Sequence, residues 1–73
     1  MTYILSQNCE EATKWALGNN ISQDEFTYVN DVIDLPPNKG VVVKVGNWPL
    51  HNNANKLLRE MKTRQIKTIL AKN

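Results

Sequence analysis

Val41-Val42-Val43-Lys44-Val45 is the strongest strand signal in the sequence. β-Branched side chains pack well on a pleated surface, and a run nearly continuous in valine is typical of a strand that is buried on both faces. Strands of this kind occur mainly in parallel sheets that are covered by helices. The segment therefore predicts a small parallel sheet with helices packed against it.

Turns bound this strand on both sides. Pro36-Pro37-Asn38-Lys39-Gly40 precedes it, and its two prolines and one glycine predict a turn rather than a linker between domains. Gly46-Asn47-Trp48-Pro49 predicts a second turn, and an amphipathic helix follows from residue 50 or 53 to residue 64. The apolar stripe of this helix consists of Leu50, Ala54, Leu57, Leu58 and Met61.

Three further segments predict strands, namely residues 2–6, 25–30 and 66–71. The last of them is expected to direct Ile66 and either Ile69 or Leu70 inward. A first helix is expected over residues 9–17.

The first helix has its own start and stop signals. Asn8, with Glu11 three residues later, fits a helix start that resembles a capping box. Trp15 is the large residue expected on the inward face, and Gly18 predicts a left-handed stop.

The element order β-α-β-β-α-β in 73 residues predicts a single α/β domain over residues 1–73. We expect a mostly parallel four-stranded sheet with a helix on each face, in which the first and third strands are central. The alternative topology has an antiparallel edge strand in a split ferredoxin-like order.

Charge is divided unevenly along the chain. Residues 1–34 contain one basic residue and six acidic ones, whereas residues 35–73 contain eight basic residues and Glu60 alone. Such asymmetry favours charged partners. The outer face of the second predicted helix carries the candidate contacts Lys56, Arg59, Lys62 and Arg64. Both nucleic-acid phosphates and an acidic protein surface fit these cations, although no aromatic residues interleave with them as in single-strand platforms.

Residues capable of catalysis or metal binding are isolated in the sequence. Cys9 is the only cysteine, and the two glutamates that follow it disfavour the thiolate. His51 is the only histidine, and a surface position near the helix start is the simpler interpretation than a metal ligand. Asp31 and Asp34 can pair as acid and base, but carboxylates before a Pro-Pro turn are ordinary turn residues. The loop after the first strand lacks the glycines of a phosphate cradle. We therefore predict no catalytic residue, no metal site and no cofactor.

Trp48 and its neighbour Asn47 are candidate partner contacts in the second turn. A loop tryptophan can anchor a protein interface, where it contributes much of the binding energy. It can equally cap the core over the second helix in the manner of a hydrophobic staple. Both interpretations stay open at the level of sequence.

Several segments together resemble a group of very small bacteriophage proteins. They are Tyr3-Ile4-Leu5-Ser6, Glu11-Ala12 with Trp15-Ala16, Glu25-Phe26-Thr27-Tyr28-Val29, Asp34-Leu35 and the stretch from Gly40 to Trp48. In size the chain is also similar to a short regulator from a lytic Xanthomonas phage. This resemblance implies a non-enzymatic regulator that binds host RNA polymerase, inhibits initiation and promotes antitermination. The alternative function is a small nucleic-acid-binding protein that uses the basic face of its second helix.

No stretch approaches the roughly 20 apolar residues that span a bilayer, and residues 1–5 lack the features of a signal peptide. We therefore expect a protein that does not contact membranes. We also expect it to be a monomer. Its expected location is the cytoplasm, which is that of the host cell for a phage protein.

Overall fold

The computed structural model describes residues 1–71. Its strands are β1 (Thr2–Leu5), β2 (Phe26–Tyr28), β3 (Val41–Lys44) and β4 (Lys67–Leu70), and its helices are α1 (Cys9–Gly18) and α2 (Ala54–Thr63). Short 3-10 turns lie at Gln23–Glu25, Val32–Asp34 and Trp48–Leu50. Each strand is shorter than the sequence predicted. After β2, for example, Asp31 and Asp34 cap a 3-10 turn and so end the extended chain.

The four strands form one sheet in the order β2-β1-β3-β4, and every neighbouring pair is parallel. This confirms the α/β class and the central positions of β1 and β3. The alternative with an antiparallel edge strand is wrong. Parallel neighbours require crossover connections, which α1 supplies between β1 and β2 and α2 supplies between β3 and β4.

Each face of the sheet carries a helix, as predicted, and an apolar core lies under each helix. Ile4 and Leu5 are adjacent in β1 and both are fully buried, because alternate side chains of a strand point to opposite faces. The core on the α2 side comprises Leu5, Val29, Leu35, Val42, Leu57, Met61 and Ile66. The core on the α1 side comprises Ile4, Ala12, Ala16, Phe26 and Val45, with Trp15 half-buried against it.

The start of α1 agrees with the prediction, but its end does not. Asn8 Oδ1 accepts a hydrogen bond from the Glu11 N–H, with an N–O distance of 2.9 Å. Gly18 lies within the helix, and the left-handed residue is Asn20, with φ of 59°. Asparagine tolerates this conformation better than most residues do, so the glycine is not required as the stop.

Helix α2 begins close to residue 53, the second of its two predicted starts, and not at residue 50. Pro49 lies in the 3-10 turn Trp48–Leu50, and the helix begins only at Ala54. Leu50 is consequently 64% exposed and does not belong to the apolar stripe. The buried side chain in this region is His51, which corrects the expectation of a surface histidine.

The sheet is covered unevenly, and β4 shows the effect. Ile66 is buried as predicted, but Ile69 and Leu70 are 47% and 65% exposed, so neither is directed into the core. Helix α1 packs over β1 and β2, and no residue of β4 belongs to the core on its side of the sheet, although Ala71 directly after β4 packs against that core. On the α1 side of β4, Ile69 therefore remains largely exposed.

Candidate functional site

Three cations form a basic surface on the outward side of α2, and this name is used below for Lys56, Arg59 and Lys62. They lie three residues apart along the helix, so they share its exposed side. Arg64, predicted to join them, does not. The helix ends at Thr63, and the half-buried Arg64 side chain turns back so that its Nε donates to Glu60 Oε2 at 2.8 Å.

One member of the basic surface is paired. Lys56 Nζ lies 3.1 Å from Asp31 Oδ1, and both side chains are well exposed, so solvent screens the pair and it contributes little to stability. The pKa of Asp31 is lowered, chiefly by the hydrogen bond from the Val32 N–H and secondarily by Lys56. Within residues 1–71 neither Arg59 nor Lys62 has a carboxylate partner.

The fold adds two lysines near Arg64 that sequence reasoning did not assemble. The Lys39 N–H donates to the Arg64 carbonyl at 3.3 Å, and the Lys67 N–H donates to the Gly40 carbonyl at 2.9 Å. Lys39, Arg64 and Lys67 thus lie near one another where β3 and β4 begin. Only the charge asymmetry of the sequence hinted at this cluster, because the contacts depend on the pairing of β3 with β4.

Trp48 is half-buried against the core on the α2 side. The Nζ of Lys44 lies 4.6 Å from the centroid of its ring, which is cation–π geometry. Asn47 is exposed, and its backbone N–H binds the Glu11 carboxylate. The geometry agrees with the core-capping interpretation of Trp48.

The crevice between β1 and β3 is where a sheet of this order usually binds a ligand, because the connections leave in opposite directions there. The Glu11 carboxylate occupies it. Gln7 N–H donates to Glu11 Oε1 at 2.9 Å, and Asn47 N–H lies 3.1 and 3.2 Å from its two oxygens. The carboxylate takes the N–H groups that a phosphate would need.

The remaining candidates for chemistry lie apart or serve the local fold. Cys9 is exposed, with Sγ 4.0 Å from Thr13 Oγ1. Asp34 Oδ2 accepts from the N–H groups of Asn30 and Asp31, which agrees with the turn interpretation of the two aspartates. Within residues 1–71 no three His, Cys, Asp or Glu side chains are grouped so that they could hold a metal ion.

The buried imidazole of His51 is built into the start of α2. Its Nδ1 accepts a hydrogen bond from the Asn53 N–H at 2.9 Å, and its ring centroid lies 5.8 Å from that of Tyr28. An accepting Nδ1 must be unprotonated, so this geometry requires the neutral ring. Burial lowers the pKa of His51, and the nearby Asp31 carboxylate only partly opposes this effect.

We therefore expect the fold to lose stability as the pH falls below about 6.5, the ordinary pKa of histidine. The lowered pKa means that the unfolded chain binds the proton more readily, so the His51 contribution is present above that pH and is lost below it. Urea unfolding of the wild type between pH 7 and pH 5 should show this decline. For one titrating group, the free energy of unfolding can fall by at most about 1.4 kcal/mol per pH unit. His51→Gln should flatten it. An equal pH dependence in His51→Gln would contradict the assignment.

Among residues 1–71 no helix combines the length and apolar character needed to cross a membrane. Comparison of the chain with protein-family models, with curated proteins and with solved structures gives no match.

Proposed function

We propose that this protein is a non-enzymatic regulator of the phage type, which binds host RNA polymerase to inhibit initiation and promote antitermination. The observation that supports it best is the basic surface, where Arg59 and Lys62 project from a rigid helix without carboxylate partners in residues 1–71. Unpaired cations of this kind steer association with an acidic protein surface and fix its orientation. The similarity in size to the short phage regulator is the reason for proposing RNA polymerase as the partner.

Nucleic acid is the second candidate, and the surroundings of the basic surface favour it less. Asp31 lies against Lys56 and Glu60 lies between Arg59 and Lys62 in the sequence, so carboxylates border the cations. These carboxylates would repel a phosphate backbone. A protein surface can instead place its own donors opposite them, which suits the mixed charge.

Retention of purified bacterial RNA polymerase on the immobilised protein tests the proposal. We expect the wild type to retain the enzyme at moderate salt, and Arg59→Glu or Lys62→Glu to weaken retention about tenfold or more. Lys14→Glu is the matched control, because Lys14 is an exposed cation on α1 and its reversal changes the net charge equally. It should bind as the wild type does. In transcription assays the wild type should lower initiation and raise terminator read-through, and Arg59→Glu should do neither.

The proposal fails if the wild type retains no polymerase, or if Lys14→Glu weakens retention as much as Arg59→Glu. Retention that nuclease abolishes would assign the basic surface to nucleic acid instead. In that case the logarithm of the binding constant for duplex DNA or RNA should fall linearly with the logarithm of the salt concentration. The slope is set by the number of phosphates that the protein neutralises.

A further inference from the structure

Strand β4 is an edge strand whose outer side has no strand partner within residues 1–71. The N–H groups of Lys67 and Ala71 donate to carbonyls on the β3 side, each at 2.9 Å. Because backbone groups of alternate residues point to alternate sides of a strand, Thr68 and Leu70 direct their N–H and C=O groups away from β3. These groups form a ready template for another strand.

Apolar side chains lie on both faces of this edge. Ile69 pairs with Val43 and lies on the α1 side, outside the core on that face. Leu70 pairs with Lys44 and lies on the opposite face. The exposed fractions of Ile69 and Leu70 are large, so an added strand would cover apolar surface above and below the sheet.

The charges around β4 discriminate between possible occupants. Lys67 begins the strand, Lys39 lies near its start and Lys44 lies beside its end, whereas Arg64 nearby is paired with Glu60. Two copies joined through their β4 edges would bring these cations together, and like charges at an interface oppose association. An acidic segment would be attracted by the same cations.

We infer that the β4 edge binds an extended segment of the partner protein that carries both apolar and acidic side chains on each of its two faces, and that this segment adds a fifth strand to the sheet. Main-chain hydrogen bonds to Thr68 and Leu70 supply affinity, and the side chains and cations around β4 select the sequence of the added strand. The inference rests on the proposed function for the existence of a protein partner, and it names the chemistry that this partner presents.

Amide hydrogen exchange of the full chain, measured by NMR, tests the inference with a short peptide of the repeat Val-Val-Glu-Glu, which places valine and glutamate on both faces of a strand. The Thr68 and Leu70 amides should exchange at least about tenfold more slowly when the peptide is bound. A peptide with lysine in place of glutamate should give no protection. Absence of protection with the acidic peptide, or equal protection with the basic one, overturns the inference.

Thr68→Pro removes one outward N–H group at a position where an edge strand accommodates proline. It should weaken peptide binding about tenfold or more, whereas Thr68→Ala, which loses the side chain but keeps the N–H, should bind as the wild type does. Equal binding by both variants contradicts strand addition. If Thr68→Pro does not fold, the exchange pattern of the wild type still answers the question.

Two further outcomes also overturn the inference. A wild-type dimer with protected Thr68 and Leu70 amides, without peptide, would mean that a second copy occupies the edge. Polymerase retention by Thr68→Pro that equals that of the wild type, with loss in Arg59→Glu, would sustain the proposed function and reject the β4 edge. Protection by the acidic peptide in a protein that retains no polymerase would reject the proposed function alone.

Discussion

Leu57→Ala is expected to lower the free energy of unfolding by about 3–5 kcal/mol, which is comparable to the total stability of many small domains. Leu57 is 0% exposed and lies in the core on the α2 side, between the helix and the sheet. Deleting its buried methyl groups removes their transfer free energy and leaves a cavity that the packed core cannot close. Urea unfolding followed by circular dichroism measures the loss.

Leu70→Ala is the matched control for this substitution, because it makes the same chemical change at an exposed site. It should change the free energy of unfolding by less than about 1 kcal/mol. Similar losses of unfolding free energy in the two variants would contradict the finding that Leu57 is buried and Leu70 exposed. If Leu57→Ala does not fold at all, Leu57→Met should fold with a loss below about 1.5 kcal/mol, because the volume is nearly conserved.

Gly46→Ala is expected to destabilise the fold by about 2–4 kcal/mol. Gly46 has φ of 52°, where an L side chain is strained, and a Cβ built there would lie 2.6 Å from Glu11 Oε2. The alanine must therefore carry backbone strain of about 1–2 kcal/mol and displace a carboxylate that accepts three backbone or side-chain donors. Urea unfolding measures the combined effect.

A double-mutant cycle separates the two parts of this effect. In a Glu11→Ala background the clash is absent, so Gly46→Ala should cost only the backbone strain of about 1–2 kcal/mol. Glu11→Ala alone should cost about 1.5–3 kcal/mol, because the Gln7 and Asn47 N–H groups lose a charged acceptor. Strict additivity of the two substitutions would contradict the contact between Glu11 and the loop at Gly46.

Local signals predicted the parts of the fold that depend on near neighbours in the chain. The valine run of β3 and the pair Asn8 and Glu11 gave a strand and a helix start within a residue of those observed. The exposure of Ile69 and Leu70 could not be inferred in this way. It depends on where α1 lies across the sheet, and their own sequence does not carry that information.

In the candidate site, too, the residues predicted correctly are those that local spacing determines. Spacing alone placed Lys56, Arg59 and Lys62 together, because residues three apart on a helix share a side. Arg64 was misplaced because the helix ends one residue before it, where its guanidinium can reach Glu60. The position of Lys39 near Arg64 and Lys67 could not be predicted, because it depends on the pairing of β3 with β4.

The Glu11 carboxylate also connects the segments that follow β1 and β3. A bound ligand that made such a connection would stabilise the fold only to a degree that depends on its concentration. Here the connecting anion is the Glu11 side chain, which is part of the chain itself and accepts hydrogen bonds from the Gln7 and Asn47 N–H groups. This connection is therefore independent of the concentration of any ligand.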